Sequence, residues 1–145
     1  MAVTAKFYGL AHQSAWNKEI DFDSDTIKVM LCTSTYTPDQ DTHQYKSSVT
    51  NEVTGTGYTA GGATLGTPTI TYTAGTNVLK LDGADVSWPA STITARYAVI
   101  YDSTPATDAT RPLIAYVDFG ADVISSGGSF DIVWDAAGIA TTTVA

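Results

Sequence analysis

The sequence predicts a mainly β domain: an antiparallel β-sandwich or barrel-like fold with one N-terminal helix. Three observations carry this. Thr is the commonest residue, and its branched Cβ is stiff at χ1 and suits a pleated surface. Short segments alternate apolar and polar residues, the period of a half-buried strand. Clusters of Gly, Pro, Asp and Ser separate those segments, so seven or so strands joined by turns are expected rather than a parallel α/β sheet. At 145 residues with no linker, low-complexity block or internal repeat, the chain reads as a single β-rich domain spanning 1–145.

The helix is placed at about residues 5–17, where Phe7, Leu10, Ala11 and Ala15 follow helical spacing, although Gly9 weakens it. A polar turn, Ile20 to Asp25, then feeds a strand from Thr26 to Thr33. There Ile27, Val29 and Leu31 share one face and Lys28, Met30 and Cys32 the other, so a central strand is expected. Residues Ser34 to Ser48 read as a loop with one short helical turn capped by Asp41 or Thr42. Thr67 to Thr73 alternates Thr with Ile70 and Tyr72.

Asp82-Gly83 is the strongest turn signal, because a type I′ hairpin needs positive φ. A two-residue turn there would set Leu81 opposite Ala84, Lys80 opposite Asp85 and Leu79 opposite Val86. Ser91 to Tyr101 follows, with Ile93, Ala95, Tyr97, Val99 and Tyr101 on one side. A Pro/Asp/Thr loop leads to Leu113–Phe119, where Leu113, Ala115, Val117 and Phe119 share a face. Ser125 to Gly128 reads as a turn into a last strand with Phe130, Ile132 and Trp134 aligned. The Thr-rich tail, 138–145, is expected as an exposed strand or an arm that pairs with a neighbour.

Charge narrows the function. Acidic residues outnumber basic ones 15 to 7, a net charge of −8, which repels phosphate backbones and anionic lipid; no nucleic-acid or membrane partner is expected. Cys32 is the only cysteine, so the fold must rest on packing, and a buried strand position is its expected place. The N-terminal residues lack the basic-then-apolar pattern of a signal peptide, and no apolar run approaches about 18 residues. Synthesis in a cytoplasm is therefore expected.

No motif points to catalysis. Gly55, Gly57 and Ala60 satisfy a relaxed dinucleotide fingerprint, but Gly61, Gly62, Gly66 and Pro68 interrupt the helix it requires, and no P-loop lysine is present. The loop reads instead as a flexible or positive-φ segment carrying an exposed Tyr58, a residue type that supplies contact area at low entropy cost. His12 and His43 lack metal-ligand spacing, and no Gly-x-Ser-x-Gly elbow occurs. In an extended segment Asp21, Asp23 and Asp25 would project to one side and offer oxygens to a hard cation. The calcium-loop Gly and Glu are missing, however, so a solvated acidic turn is the expectation. Trp16, Trp88 and Trp134 could build a sugar platform, though aromatics in β-domains mostly pack. Neither a cofactor nor catalytic residues are expected.

Several segments together resemble a family of small tailed-bacteriophage virion structural proteins. They are Glu19 to Val29, Tyr36-Thr37-Pro38-Asp39, Gly55 to Gly62, Ile93 to Tyr101 and Pro112 to Gly120, in the same order along nearly the whole chain. The resemblance implies a non-enzymatic head decoration (cement) protein on the outside of the capsid, with the major capsid protein as partner and a homo-oligomer, a trimer favoured. It transfers no catalytic residues. The gripping elements expected are the N-terminal segment, the Gly55–Gly62 loop and the C-terminal arm, each with backbone free to order on docking, and the interface candidates are Gly55, Gly57, Tyr58, Gly61, Gly62 and Val144. A tail component, either tube or tip module, and a carbohydrate-binding module for host adsorption are the alternatives.

Overall fold

Apolar alternation and tight turns give the chain two sheets and one α-helix, as seen in a computed structural model that describes residues 2–145. The elements are β1 (Ala2–Val3), β2 (Lys6–Phe7), α1 (Gly9–Trp16), β3 (Ile27–Cys32), β4 (Ala63–Thr64), β5 (Thr69–Thr73), β6 (Val78–Asp82), β7 (Val86–Asp102), β8 (Leu113–Trp134) and β9 (Ala140–Thr143). The larger sheet runs β1-β8-β7-β3-β4, with β2 also on β8; the smaller runs β5-β6-β9. Every pairing is antiparallel except β1 with β8. The mainly β, sandwich-like fold with an N-terminal helix is thus the one the sequence predicts.

Around β3 the larger sheet is buried on both faces, whereas the first half of β7 and the middle of β8 leave one face exposed. On one side Ile27, Val29, Leu31, Ala98, Ile100 and Ile132 pack with Leu81 and Ala140 of the smaller sheet. On the other, Met30, Cys32, Val99 and Tyr101 pack with Tyr8, Ala11 and Tyr36. The alternation along β3 therefore has the physical cause inferred for it, two apolar faces on a strand flanked by β7 and β4. Cys32 is fully buried, and burial pushes its thiol up to about 12, which leaves it unreactive.

The helix is shorter than expected, because Lys6–Phe7 is drawn into a strand with Ala115 and Tyr116. The two long strands also break phase. A register shift between Ala95 and Tyr97 moves Ile93 and Ala95 into the first core but Val99 and Tyr101 into the second, so the five residues expected on one side are split. A second shift after Ile100 likewise separates Leu113 from Ala115 and Val117. The first shift sets two steps on β7 against five on β8 and the second one step against two; an odd difference in either case flips everything beyond it to the opposite face. Phe130, Ile132 and Trp134 do align in the first core.

Three turn assignments are corrected. Asp82-Gly83 is not a hairpin: β6 pairs with β5 through Thr73 opposite Val78, and Asn77 at φ 58 supplies the left-handed residue. Asp82-Gly83 is the corner where the chain leaves the smaller sheet for β7. Its carboxylate accepts from the Gly83 amide at 2.9 Å, and a Cβ at Gly83 would sit 2.8 Å from Leu65 Cγ. Lys80 accordingly pairs with Asp82 at 3.2 Å, while Asp85 accepts from the Trp134 amide. Ser125 to Gly128 lies within β8 as a bulged stretch opposite Ser91–Ile93, closed by a 2.8 Å bond between the Ser91 and Ser125 hydroxyls. The helical turn expected at Asp41 or Thr42 is instead a turn capped by Asp39, whose Oδ1 accepts from both amides at 3.0 Å; the 3-10 helix lies at Lys46–Ser48.

Candidate functional site

The smaller sheet carries the most unusual surface. All five residues of β5, Thr-Ile-Thr-Tyr-Thr, are exposed, and Ile70 and Tyr72 are 43% and 53% accessible. They lie on the same face as their cross-strand partners Leu81 and Leu79. That face opens into an apolar groove of about 130 Å³ whose walls include Phe7, Ala11, Ile20 and Phe22. Among the described residues β5 pairs only with β6, and β9 also pairs only with β6, so the sheet ends in two edges without a strand partner. Neither edge strand contains a charge or a proline, the devices that usually keep an edge from pairing with another chain.

The glycine loop has the expected positive φ, at Gly57, Gly61 and Gly62, but it is packed down rather than free. Tyr58 is half-buried rather than exposed. Its ring packs on Trp88 at 6.0 Å, its hydroxyl donates to Glu52 Oε1 at 2.7 Å, and it accepts from the Leu31 amide at 3.0 Å. Gly55, Gly57 and Gly62 let the loop press on β7 and β3. A Cβ at Gly55 would lie 2.2 Å from the Thr92 carbonyl oxygen, and one at Gly57 2.8 Å from Ser91 Cα. Gly61 donates its amide to Glu52 and accepts from the Tyr101 hydroxyl at 2.7 Å. This loop is a strap across the sheet with little backbone free to order. Tyr58→Phe is expected to lower unfolding free energy by about 1–3 kcal/mol, because a buried amide and a carboxylate lose their partner. Denaturant unfolding measures it; unchanged stability with lost docking would instead mark a contact tyrosine.

The C-terminal arm folds back on its own chain. Ile139 and Ala140 are buried, β9 pairs with β6, and the Val144 amide donates to the Asn77 carbonyl at 2.7 Å. The Val144 side chain remains half exposed, next to the start of β6.

Asp21, Asp23 and Asp25 do not line one side of an extended segment, because the Asp25 amide donates to the Asp21 carbonyl in a closed turn. Among the described residues no cluster of three or more metal-ligating side chains forms. Asp25 meets Asp102 instead, a residue with no exposed surface. Burial, and then the neighbouring Asp25 carboxyl, push the Asp102 carboxyl up to about 6. Trp88 and Trp134 are core residues and Trp16 alone is exposed, so three tryptophans do not form a sugar platform. His12 stacks edge-on against Phe7, and His43 Nδ1 lies 3.0 Å from the Tyr36 hydroxyl in the second core's hydrogen-bond chain.

β5 is not among the candidates that the sequence offers, although its lack of a guarding Lys or Glu is legible there. No family model matches the chain, and no curated protein or solved structure matches it. Among the described residues no helix is long and apolar enough to cross a membrane.

Proposed function

We propose that this chain is a non-enzymatic structural protein of a tailed-phage virion, a head decoration protein that self-associates and seats on the outer face of the capsid. The observation that supports this best is the small sheet with two unpaired, uncharged edges. A head-to-tail contact, β5 of one copy against β9 of the next, uses both edges, and repetition of such a heterologous contact gives a ring where its rotation closes and a filament where it does not. A trimer is the ring favoured here, with the major capsid protein beneath it. Ile70 and Tyr72 supply the apolar part of the contact; full burial of such a side chain contributes about 1.5–3 kcal/mol. Many copies on a repeating shell make modest contacts additive in effect. The surplus of acids suits a coat facing away from packaged DNA.

The same two edges also serve the second reading, a tail-tube subunit, which must form larger rings or filaments. Light scattering on the purified protein separates them: a trimer favours the head reading, and hexamers or filaments the tail. Tyr72→Lys places an ammonium in the contact and is expected to give monomers with little change in melting temperature. A monomeric wild-type protein at high concentration would remove the support that β5 gives to either reading.

A further inference from the structure

Three of the seven cationic side chains, Lys28, Lys46 and Arg111, line one polar cavity of about 460 Å³ in a protein of net charge −8. They come from three chain segments, β3, the 3-10 helix and the loop between β7 and β8, and Ala60 and Gly61 of the glycine loop complete the wall. The walls are fixed by backbone bonds, Lys46 N–H to the Arg111 carbonyl at 2.8 Å and Ser47 N–H to that of Asp108 at 2.9 Å. The Lys46 side chain is 12% accessible and its Nζ stands 5.6 Å from the centre of the Tyr101 ring.

Two carboxylates share the cavity, and both are already engaged. Asp108 accepts from Lys46 at 2.9 Å and from Arg111 Nη1 at 2.8 Å. Glu52 Oε1 accepts from the Tyr58 hydroxyl and the Gly61 amide. Arg111 also spends its Nε on the Pro105 carbonyl. Lys28 has no ion-pair or hydrogen-bond partner among the described residues, although its Nζ lies at the Gly61 wall. The balance is one uncompensated positive charge whose three donors face a roomy polar space.

We infer that this cavity binds a small oxyanion, a phosphate or a carboxylate, with the Lys28 ammonium as its principal contact and Arg111 and Lys46 beside it. The inference does not rest on the assembly reading: it needs only the folded chain.

The test is an amide-resolved NMR titration of the full chain with inorganic phosphate and with a blocked Glu-containing tripeptide, ionic strength being held constant with chloride. The expected result is saturable shifts at Gly61 and Ser103 that chloride alone does not produce. Lys28→Met is expected to weaken the apparent affinity by about tenfold or more, the value of a charge-assisted hydrogen bond, and Lys28→Arg to retain it. Tighter binding of phosphate identifies a free ion as the natural source, and tighter binding of the peptide an acidic side chain of a protein partner. Non-saturating shifts with both probes, shifts centred elsewhere, or an affinity unchanged in Lys28→Met would overturn the inference. Should Lys28→Met fail to fold, the wild-type shift map and Lys28→Arg still decide it.

Discussion

Gly62→Ala is expected to be the most damaging single-methyl addition in this chain, with a loss of about 3 kcal/mol or more in unfolding free energy. Gly62 has φ +80, a conformation that alone costs an L-residue roughly 1–2 kcal/mol. A Cβ there would lie 1.9 Å from the Val29 carbonyl oxygen and 2.6 Å from Met30 Cα. Those atoms belong to β3, whose carbonyls and amides are committed to β7 on one side and β4 on the other. Backbone held from both sides cannot retreat, so the strap would have to lift and expose Val53 and the Tyr58 ring. Gly75→Ala is the matched control: its Cβ meets nothing within 4 Å and its φ is not positive. Denaturant unfolding of the two variants should differ by most of that loss; equal midpoints would refute the strap.

Asp102→Asn is expected to stabilise the protein at neutral and alkaline pH, on the order of 1–3 kcal/mol. Asp102 Oδ1 accepts from the Thr104 amide at 2.9 Å, but its buried Oδ2 has no donor. Two ionised carboxylates cannot hydrogen-bond, so the contact with Asp25 is satisfied only when a proton lies between them. The sign follows from linkage. The carboxyl titrates near 3.8 when unfolded and at about 6 when folded, so the native state holds the extra proton in that window. Stability is then greatest below the window and declines as pH rises through it. The amide mimics the protonated acid, keeps the Thr104 bond and donates to Asp25 at any pH. Urea unfolding below and above the window should show the gain of Asp102→Asn vanishing on the acid side. A gain independent of pH would contradict the shared proton.

Much of the fold could be read from the residues. β3 alternates because it separates two cores, and Phe130, Ile132 and Trp134 align because nothing interrupts their period. What escaped was long-range. A bulge opposite Arg96 carries no local signature, yet it reverses the facing of Val99 and Tyr101. Asp82-Gly83 satisfies a hairpin locally, but Leu79 and Leu81 find better partners in Tyr72 and Ile70 across the Thr73–Val78 turn. For the surfaces, glycine content suggested a mobile loop, whereas these glycines mark close approach to backbone. Lys28, Lys46 and Arg111 are distant in sequence, and only topology assembles them.

The virion role is tested most directly by mixing the purified protein with undecorated, expanded phage heads and imaging the particles. A head decoration protein should appear as regular density at repeated positions on the outer shell lattice, and Tyr72→Lys should lower its occupancy. Bare shells, or density confined to the neck and tail, would contradict the head assignment.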